Sequence, residues 1–341
     1  GVTFEKTYEI TEGNRTQITT SSSDAQKIYV LAEGSGTSPI IMEKTEDGFT
    51  STTSMTLPND VYDGIPANDF TNGQAFYDLI IKANPLDDAI VYVGGIDLFK
   101  TVDSGATWSQ ITEYYSSTGL NEVHPDQHVI VFGNEDISKI LFGNDGGVYY
   151  SGDGGITIEE RNNGYNVTQF YTVGVAPTTA LTGDYFLAGA QDNGTQVFQS
   201  SNPNGPDESF RAVGGDGAFS FFDQDGIDRY LIANVVYNDG IYLYDYDTDE
   251  WVTINDESTA QGSFINPEAL DSNLNILYSN YSSGANSIIK RYSGIKDAST
   301  LIKVDLTNNL LTSRPTALTV SPYTKTSSTL YVGTILGDVL K

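Results

Sequence analysis

One core strand recurs seven times along this chain, and that repetition constrains the fold more than any other feature. The copies are KIYVLAEG from Lys27, AIVYVGGI from Ala89, KILFGND from Lys139, YFLAGAQD from Tyr185, RYLIANVV from Arg229, ILYSNYSS from Ile276 and TLYVGTIL from Thr329. Their separation of about 40–65 residues suits repeats of the blade type. Most copies follow a short strand and a turn, as in LIIKANPLDD and VIVFGNEDIS. A Gly- or Asp-containing turn and a third strand come next (LFKTVDSG, VYYSGDGG, IYLYDYDTD), often with a fourth (ATWSQITEY, ITIEERNN, EWVTIND). Four antiparallel strands per repeat, seven times over, predict an all-β chain folded as a β-propeller of seven four-stranded blades.

The ends extend this expectation. GVTFEKT aligns with GATWSQI of residues 105–111, and DVLK stops inside a third strand. The N-terminal segment is therefore expected to supply the fourth strand of the last blade and close the ring, which hides strand edges. Residues 1–341 read as one propeller domain, and a start inside a turn motif suggests a piece of a longer protein.

Composition agrees and narrows the partners. The 34 glycines and 22 tyrosines, with few Ala- or Leu-rich stretches, belong to a turn-rich β protein. A net charge of −28 argues against nucleic acid and against anionic membrane surfaces as partners. It suits a soluble protein in a medium whose salt or calcium screens self-repulsion. There are no cysteines, so disulfides play no part, and no apolar run is long enough to insert in a bilayer.

A second signature sits in the turn between third and fourth strands. Thr101-Val-Asp103-Ser-Gly105-Ala-Thr107-Trp108 is repeated as Ser151-Gly-Asp153-Gly-Gly155-Ile-Thr157-Ile158, and Thr45-Glu-Asp47-Gly48 is a shortened version. With these motifs the chain resembles the Asp-box propellers, also called bacterial neuraminidase repeat proteins. That group includes sialidases, xyloglucanases and sortilin-like domains. GNDGGVYYSGDGG, NVTQFY and AQDNGTQ look most similar to the sortilin-like propellers of large secreted bacterial proteins. Many of those are labelled glycosyl hydrolases, and some are cargo of the type IX secretion system. The resemblance implies an extracellular or cell-surface protein. The Asp box itself has structural chemistry: Asp accepts from turn amides, Gly supplies positive φ and the aromatic packs beneath the hairpin. Asp103, Gly105, Trp108, Asp153 and Gly155 are read in that role.

Candidate functional residues lie at the other end of the repeats, where first-strand entries and second-to-third-strand turns share one face of a propeller. That face is expected to collect His124, Asp126, His128, Asp145, Asp192 and Asp216 as a ligand-binding rim, with Asp97 and Asp239 in equivalent turns. Asn144-Asp145-Gly146 and Asp192-Asn193-Gly194 are also plain hairpin-turn chemistry. EVHPDQHVIVF, residues 122–132, holds both histidines of the chain. If extended, it turns His124, Asp126 and His128 to one side. Three readings stay open: a transition-metal site, an acid–base site, or a corner in which Asp126 bonds neighbouring amides and the histidines pack. DQDGID, with Asp223, Asp225 and Asp228, resembles part of a calcium loop but lacks the terminal Glu, and it also reads as a first-to-second-strand turn. Calcium or a transition metal is thus the only cofactor considered.

Known enzyme chemistries find little support. The six arginines are scattered and show no carboxylate-binding cluster of the sialidase kind. The many acids single out no glycosidase pair, and no nucleophile elbow or phosphate loop occurs. Two functions remain. One is a non-catalytic propeller that binds or scaffolds a polysaccharide or protein partner at the cell surface. The other is a glycoside hydrolase or lyase, with Tyr114, Tyr115, Tyr237 and Tyr281 as candidate sugar-stacking residues.

Overall fold

A computed structural model describes residues 3–115, 117–134, 136–165, 167–199, 209–257, 261–323 and 326–341. The chain divides into two compact units, Gly1–Asn166 and Val167–Lys341, each taken here on its own.

The first unit contains three four-stranded antiparallel sheets, each a simple meander in chain order. Sheet 1 runs Thr16–Thr20, Ile28–Ser35, Ser38–Thr45 and Thr53–Ser54. Sheet 2 runs Ile80–Ala83, Val91–Gly94, Leu98–Thr101 and Ser109–Gln110. Sheet 3 runs Gln127–Phe132, Ile140–Asn144, Gly147–Ser151 and Glu159–Glu160. A small parallel pair, Thr112–Glu113 with Asn121–Glu122, ties the connection after sheet 2. In the second unit, sheet 4 is Phe170–Val175, Tyr185–Ala190, Gly194–Gln199 and Ser209–Val213, and sheet 5 is Gly217–Phe222, Tyr230–Val235, Ile241–Asp245 and Glu250–Asn255. Sheet 6 is Glu268–Asp271, Ile276–Asn280, Ile289–Ser293 and Ile302–Leu306. Sheet 7 has Pro315–Val320, Leu330–Thr334 and Val339–Leu340. Successive up-and-down meanders of this kind are β-propeller blades. Each of the seven recurring core segments supplies the second strand of one sheet.

The second strands of sheets 1, 2, 5 and 6 are buried on both faces along most of their length. Val91–Gly94 is buried at every position. Tyr29, Leu31, Phe70, Leu79, Val91, Val93 and Phe99 form one core of the first unit, with Trp108 packed against it. Tyr230, Ile232, Leu243, Leu277 and Tyr292 form one of the second.

One expectation about the ends fails. Residues 3–10 belong to no strand, and sheet 7 has three strands among the described residues. Tyr8 instead stacks on Phe49 at 5.1 Å between ring centroids and hydrogen-bonds Glu43 of sheet 1. Aromatic burial against sheet 1 thus takes the place of the predicted ladder.

The turns between third and fourth strands that carry Asp47, Asp103 and Asp153 close on their aspartates. Asp103 Oδ1 accepts from the Thr107 amide at 2.8 Å, and Oδ2 accepts from the Thr107 hydroxyl at 2.6 Å. Asp153 repeats both bonds with Thr157 at 2.8 and 2.7 Å. For Asp103 the hydroxyls of Thr107 and Thr101, and for Asp153 the amide and hydroxyl of Thr157, lead in holding each carboxyl down at about 2. Trp108 donates its indole N–H to the Thr56 carbonyl at 2.9 Å. The shortened box is complete in space: Asp47 takes the Ser51 amide at 2.9 Å and the Ser51 hydroxyl at 2.7 Å. Where the other boxes have Gly105 and Gly155 at φ +83° and +88°, this one has Phe49 at φ +72°. A non-glycine residue there is strained. Phe49→Ala keeps the strain and loses the Tyr8 stack, whereas Phe49→Gly loses only the stack. Gly is therefore expected to be the more stable variant by about 0.5–1 kcal/mol in urea denaturation, the reverse of the usual order.

Candidate functional site

The rim of the first unit is assembled by a segment that belongs to no strand. Residues 55–79, between sheets 1 and 2, place Asp60, Tyr62, Asp69, Phe76, Tyr77 and Asp78 beside the turns of sheets 2 and 3. Asp69 shapes this segment, accepting from the Thr71 amide and hydroxyl at 3.1 and 2.6 Å and from the Gly73 amide at 2.8 Å. The Ile96 amide donates to the Phe70 carbonyl, which fixes the segment to the sheet 2 hairpin.

His128, Asp145 and Tyr77 come together. His128 Nε2 lies 2.6 Å from Asp145 Oδ1, and the Tyr77 hydroxyl donates to both Asp145 oxygens at 2.9 Å. The Tyr77 and His128 rings meet edge to face at 4.9 Å. Asp145 is thus held from two directions.

His124 and Asp126 do not share a face with His128. The strand begins only at Gln127, and Asp126 sits in the left-handed region at φ +64°, which breaks the alternation expected for 124–128. The His124 ring packs over Gly146, where an added Cβ would come within 2.4 Å of it, and the His124 amide donates to the Tyr149 hydroxyl. Among the described residues no three His, Asp or Glu side chains stand together as a metal-binding group. The expected triad of His124, Asp126 and His128 is therefore not gathered, and His124 belongs to a packed corner.

Asp126 turns instead toward Asp78, which is wholly buried. The two carboxyls reach hydrogen-bonding range, yet both Asp78 oxygens and Asp126 Oδ1 find no donor. A proton between them resolves this. Burial first, and the Asp126 charge second, push the Asp78 carboxyl up to about 9. Burial, and then the Asp145 charge, raise Asp126 as well. A second acid pair lies nearby: burial, then the Asp60 charge, lift Asp97 to about 8, while the Thr112 hydroxyl donates to it at 3.0 Å. Beside this pair, Tyr62, Tyr114 and Tyr115 make edge contacts at 4.3–6.5 Å. Glu113 is occupied by the Thr118 amide and hydroxyl, both at 2.9 Å, and by the Gly119 amide at 3.0 Å.

In the second unit, Asp216 Oδ1 accepts from the Asp192 amide at 2.9 Å, so these two expected rim residues do meet. The Tyr171 hydroxyl donates to Gln191 at 2.6 Å, and Tyr171 and Tyr237 both contact Phe264 edge-on. Tyr237 and Asn238 are both at positive φ. Asn238 is held there by a buried network: Asn266 and Ser279 donate to its Oδ1 at 2.9 and 2.6 Å. Glu268 lies in the same network, 2.9 Å from the Ser279 hydroxyl oxygen, and accepts from Asn234. Tyr281 is covered by the Lys290 ammonium, 3.8 Å from its ring centroid, and is not an open stacking surface.

The calcium reading of DQDGID also changes. Asp225 Oδ1 accepts the Ile227 and Asp228 amides at 2.7 and 3.2 Å, so the segment is a hydrogen-bonded turn between the first two strands of sheet 5. Asp228 is ion-paired with Lys296 at 2.5 Å and bonded by Asn275 at 2.7 Å. Burial, then the Asp225 carboxylate, push Asp223 up to about 7.

No family model and no curated protein matches the chain. Among solved structures it resembles YCF48 bound to D1 peptide, at 13% identity and TM-score 0.31 over 94% of this chain and 89% of that one. It also resembles YCF48 from Cyanidioschyzon merolae, at 12% identity and TM-score 0.31 over 96% and 94%. A third likeness is to an ancestral GH74 enzyme, at 10% identity and TM-score 0.32 over 95% of this chain and 61% of that one. The β-propeller class rests on the blade meanders described above.

Proposed function

We propose that this chain is a non-catalytic binding or scaffold module of a larger secreted or cell-surface protein, 1–341 forming one propeller domain. It takes a polysaccharide or protein partner at the rim of the first unit. The observation that carries this reading is the state of the rim carboxyls. Asp145 is bonded by Tyr77 and His128, Asp78 and Asp97 are buried and hold protons at neutral pH, and Glu113 is filled by amides. Around them Tyr62, Phe76, Tyr77 and Tyr115 are exposed. Exposed rings over satisfied acceptors suit the faces and hydroxyls of a sugar, or the side chains of a peptide. The extracellular setting rests on the resemblance to secreted Asp-box propellers.

A hydrolase is the second reading, favoured by Asp126. Its carboxyl is raised and partly exposed beside the Asp145 charge, which is the pattern of a general acid near an ionised carboxylate. Glycan-array and peptide-library binding by the whole chain tests the first reading. The double variant Phe76→Ala/Tyr77→Ala is expected to weaken the best ligand by at least ~tenfold. Unchanged affinity in that variant would remove the rim from the binding surface.

A further inference from the structure

We propose that the second unit carries an aromatic cage for a small quaternary ammonium cation, between sheets 4 and 5. This goes beyond the rim reading and does not depend on it. Tyr185, Phe210, Tyr244, Tyr246 and Trp251 line a cavity of about 430 Å³, with Gln199 at its side. That volume falls in the range of small-molecule sites, about 300–1,000 Å³.

The ring geometry selects the ligand. Tyr185 and Tyr246 stand at 88° with centroids 6.1 Å apart, Tyr244 and Tyr246 at 80° and 4.9 Å, and Tyr244 and Trp251 at 45° and 5.1 Å. Rings set steeply to one another are suited to surrounding a rounded ion, whereas a sugar platform is served by one broad flat face. A cation is attracted by each ring quadrupole, and a quaternary ammonium has no hydrogen-bond donors to leave unsatisfied in an aromatic site.

Charge points the same way. Among the described residues no lysine or arginine lines the cavity. Arg229 is held by Asp247 and Lys296 by Asp228. The Tyr244 hydroxyl donates to Asp249, which brings a carboxylate to one wall and strengthens the negative face of that ring. The Tyr246 hydroxyl and Gln199 stand together at the cavity wall, so a polar tail on the ligand, such as the hydroxyl of choline, has polar groups to meet. The net charge of −28 concentrates cations near the surface in any case.

The test is calorimetric titration of the whole chain with choline, with its uncharged isostere 3,3-dimethylbutan-1-ol, and with methyl glucoside. Choline is expected to bind at least ~tenfold more tightly than the isostere, and the glucoside not at all. Trp251→Leu and Tyr244→Leu should each weaken choline by ~tenfold; Trp251 is largely exposed, so its replacement leaves the core in place. Equal binding of choline and the isostere, preference for the glucoside, or no binding of choline at millimolar concentration would each overturn the proposal. Both ligand comparisons use the unaltered chain, so misfolding of a variant does not blunt them.

Discussion

Replacing Glu268 by Gln is expected to raise stability by roughly 2–5 kcal/mol at pH 8.5 and to change it little at pH 4.5. Burial pushes the Glu268 carboxyl up to about 8, against the bonds from Ser279 and Asn266 that favour the charged form. The folded value lies above the unfolded one of 4.5, so the group's contribution is full below about pH 4.5. It is lost as pH rises to about 8, where the unfolded chain gains more by ionising. Gln cannot ionise, so the loss disappears. The site can receive its amide, because Asn234 Oδ1 is buried without a partner and an amide flip would present it as acceptor. Asp78 and Asp97, raised to about 9 and 8, add to the same alkaline decline in the unaltered chain. Chemical denaturation of both proteins at pH 4.5, 6.5 and 8.5 checks this. Parallel profiles for the two proteins would mean that Glu268 ionises in the fold without penalty.

The double variant Asp103→Ala/Asp153→Ala is expected to lower the melting temperature by roughly 2–6 °C while leaving ligand affinity unchanged. Each aspartate satisfies the Thr amide four residues on and clamps its hydroxyl, and each turn fastens the end of a hairpin in the first unit. Alanine hands these exposed donors to water and releases the clamp on a turn held at positive φ by Gly105 or Gly155. Both carboxyls are lowered to about 2, so their contribution is present above the unfolded value of 3.8 and fades as pH falls through about 2. The unaltered chain should therefore lose stability at both pH extremes, for opposite reasons. Loss of ligand binding at an unchanged melting temperature would show the box to be a binding element.

The blades were legible because their signal is repetitive: an inner strand of a sheet is rich in apolar and aromatic residues, and seven such strands stand out. The aspartate turns were legible because Asp, Gly and Thr at fixed offsets answer to one turn geometry, and even Asp47 follows it with Phe49 in the glycine position. The rim was legible only in part. His128 and Asp145 were named, but their partner Tyr77 and the buried Asp78 lie in the extra segment before sheet 2. The sole sign of that segment was the long spacing between the first two repeats. Alternation misled at His124 and Asp126 because one residue at φ +64° ends the strand rule. Glu268 gave no local sign, since its network is assembled from Asn234, Asn266 and Ser279 across separate strands. GVTFEKT matched a fourth strand in pattern, yet residues 3–10 form no strand and Tyr8 stacks on Phe49.

The central claim is that the rim of the first unit holds its ligand and does not cleave it. The direct measurement is a reducing-end time course on the polysaccharide that binds best, with the whole chain in excess over many hours. The account predicts no new ends, together with affinity that falls in Phe76→Ala/Tyr77→Ala. Steady release of reducing ends, abolished in Asp126→Asn while binding persists, would contradict it and make Asp126 a general acid.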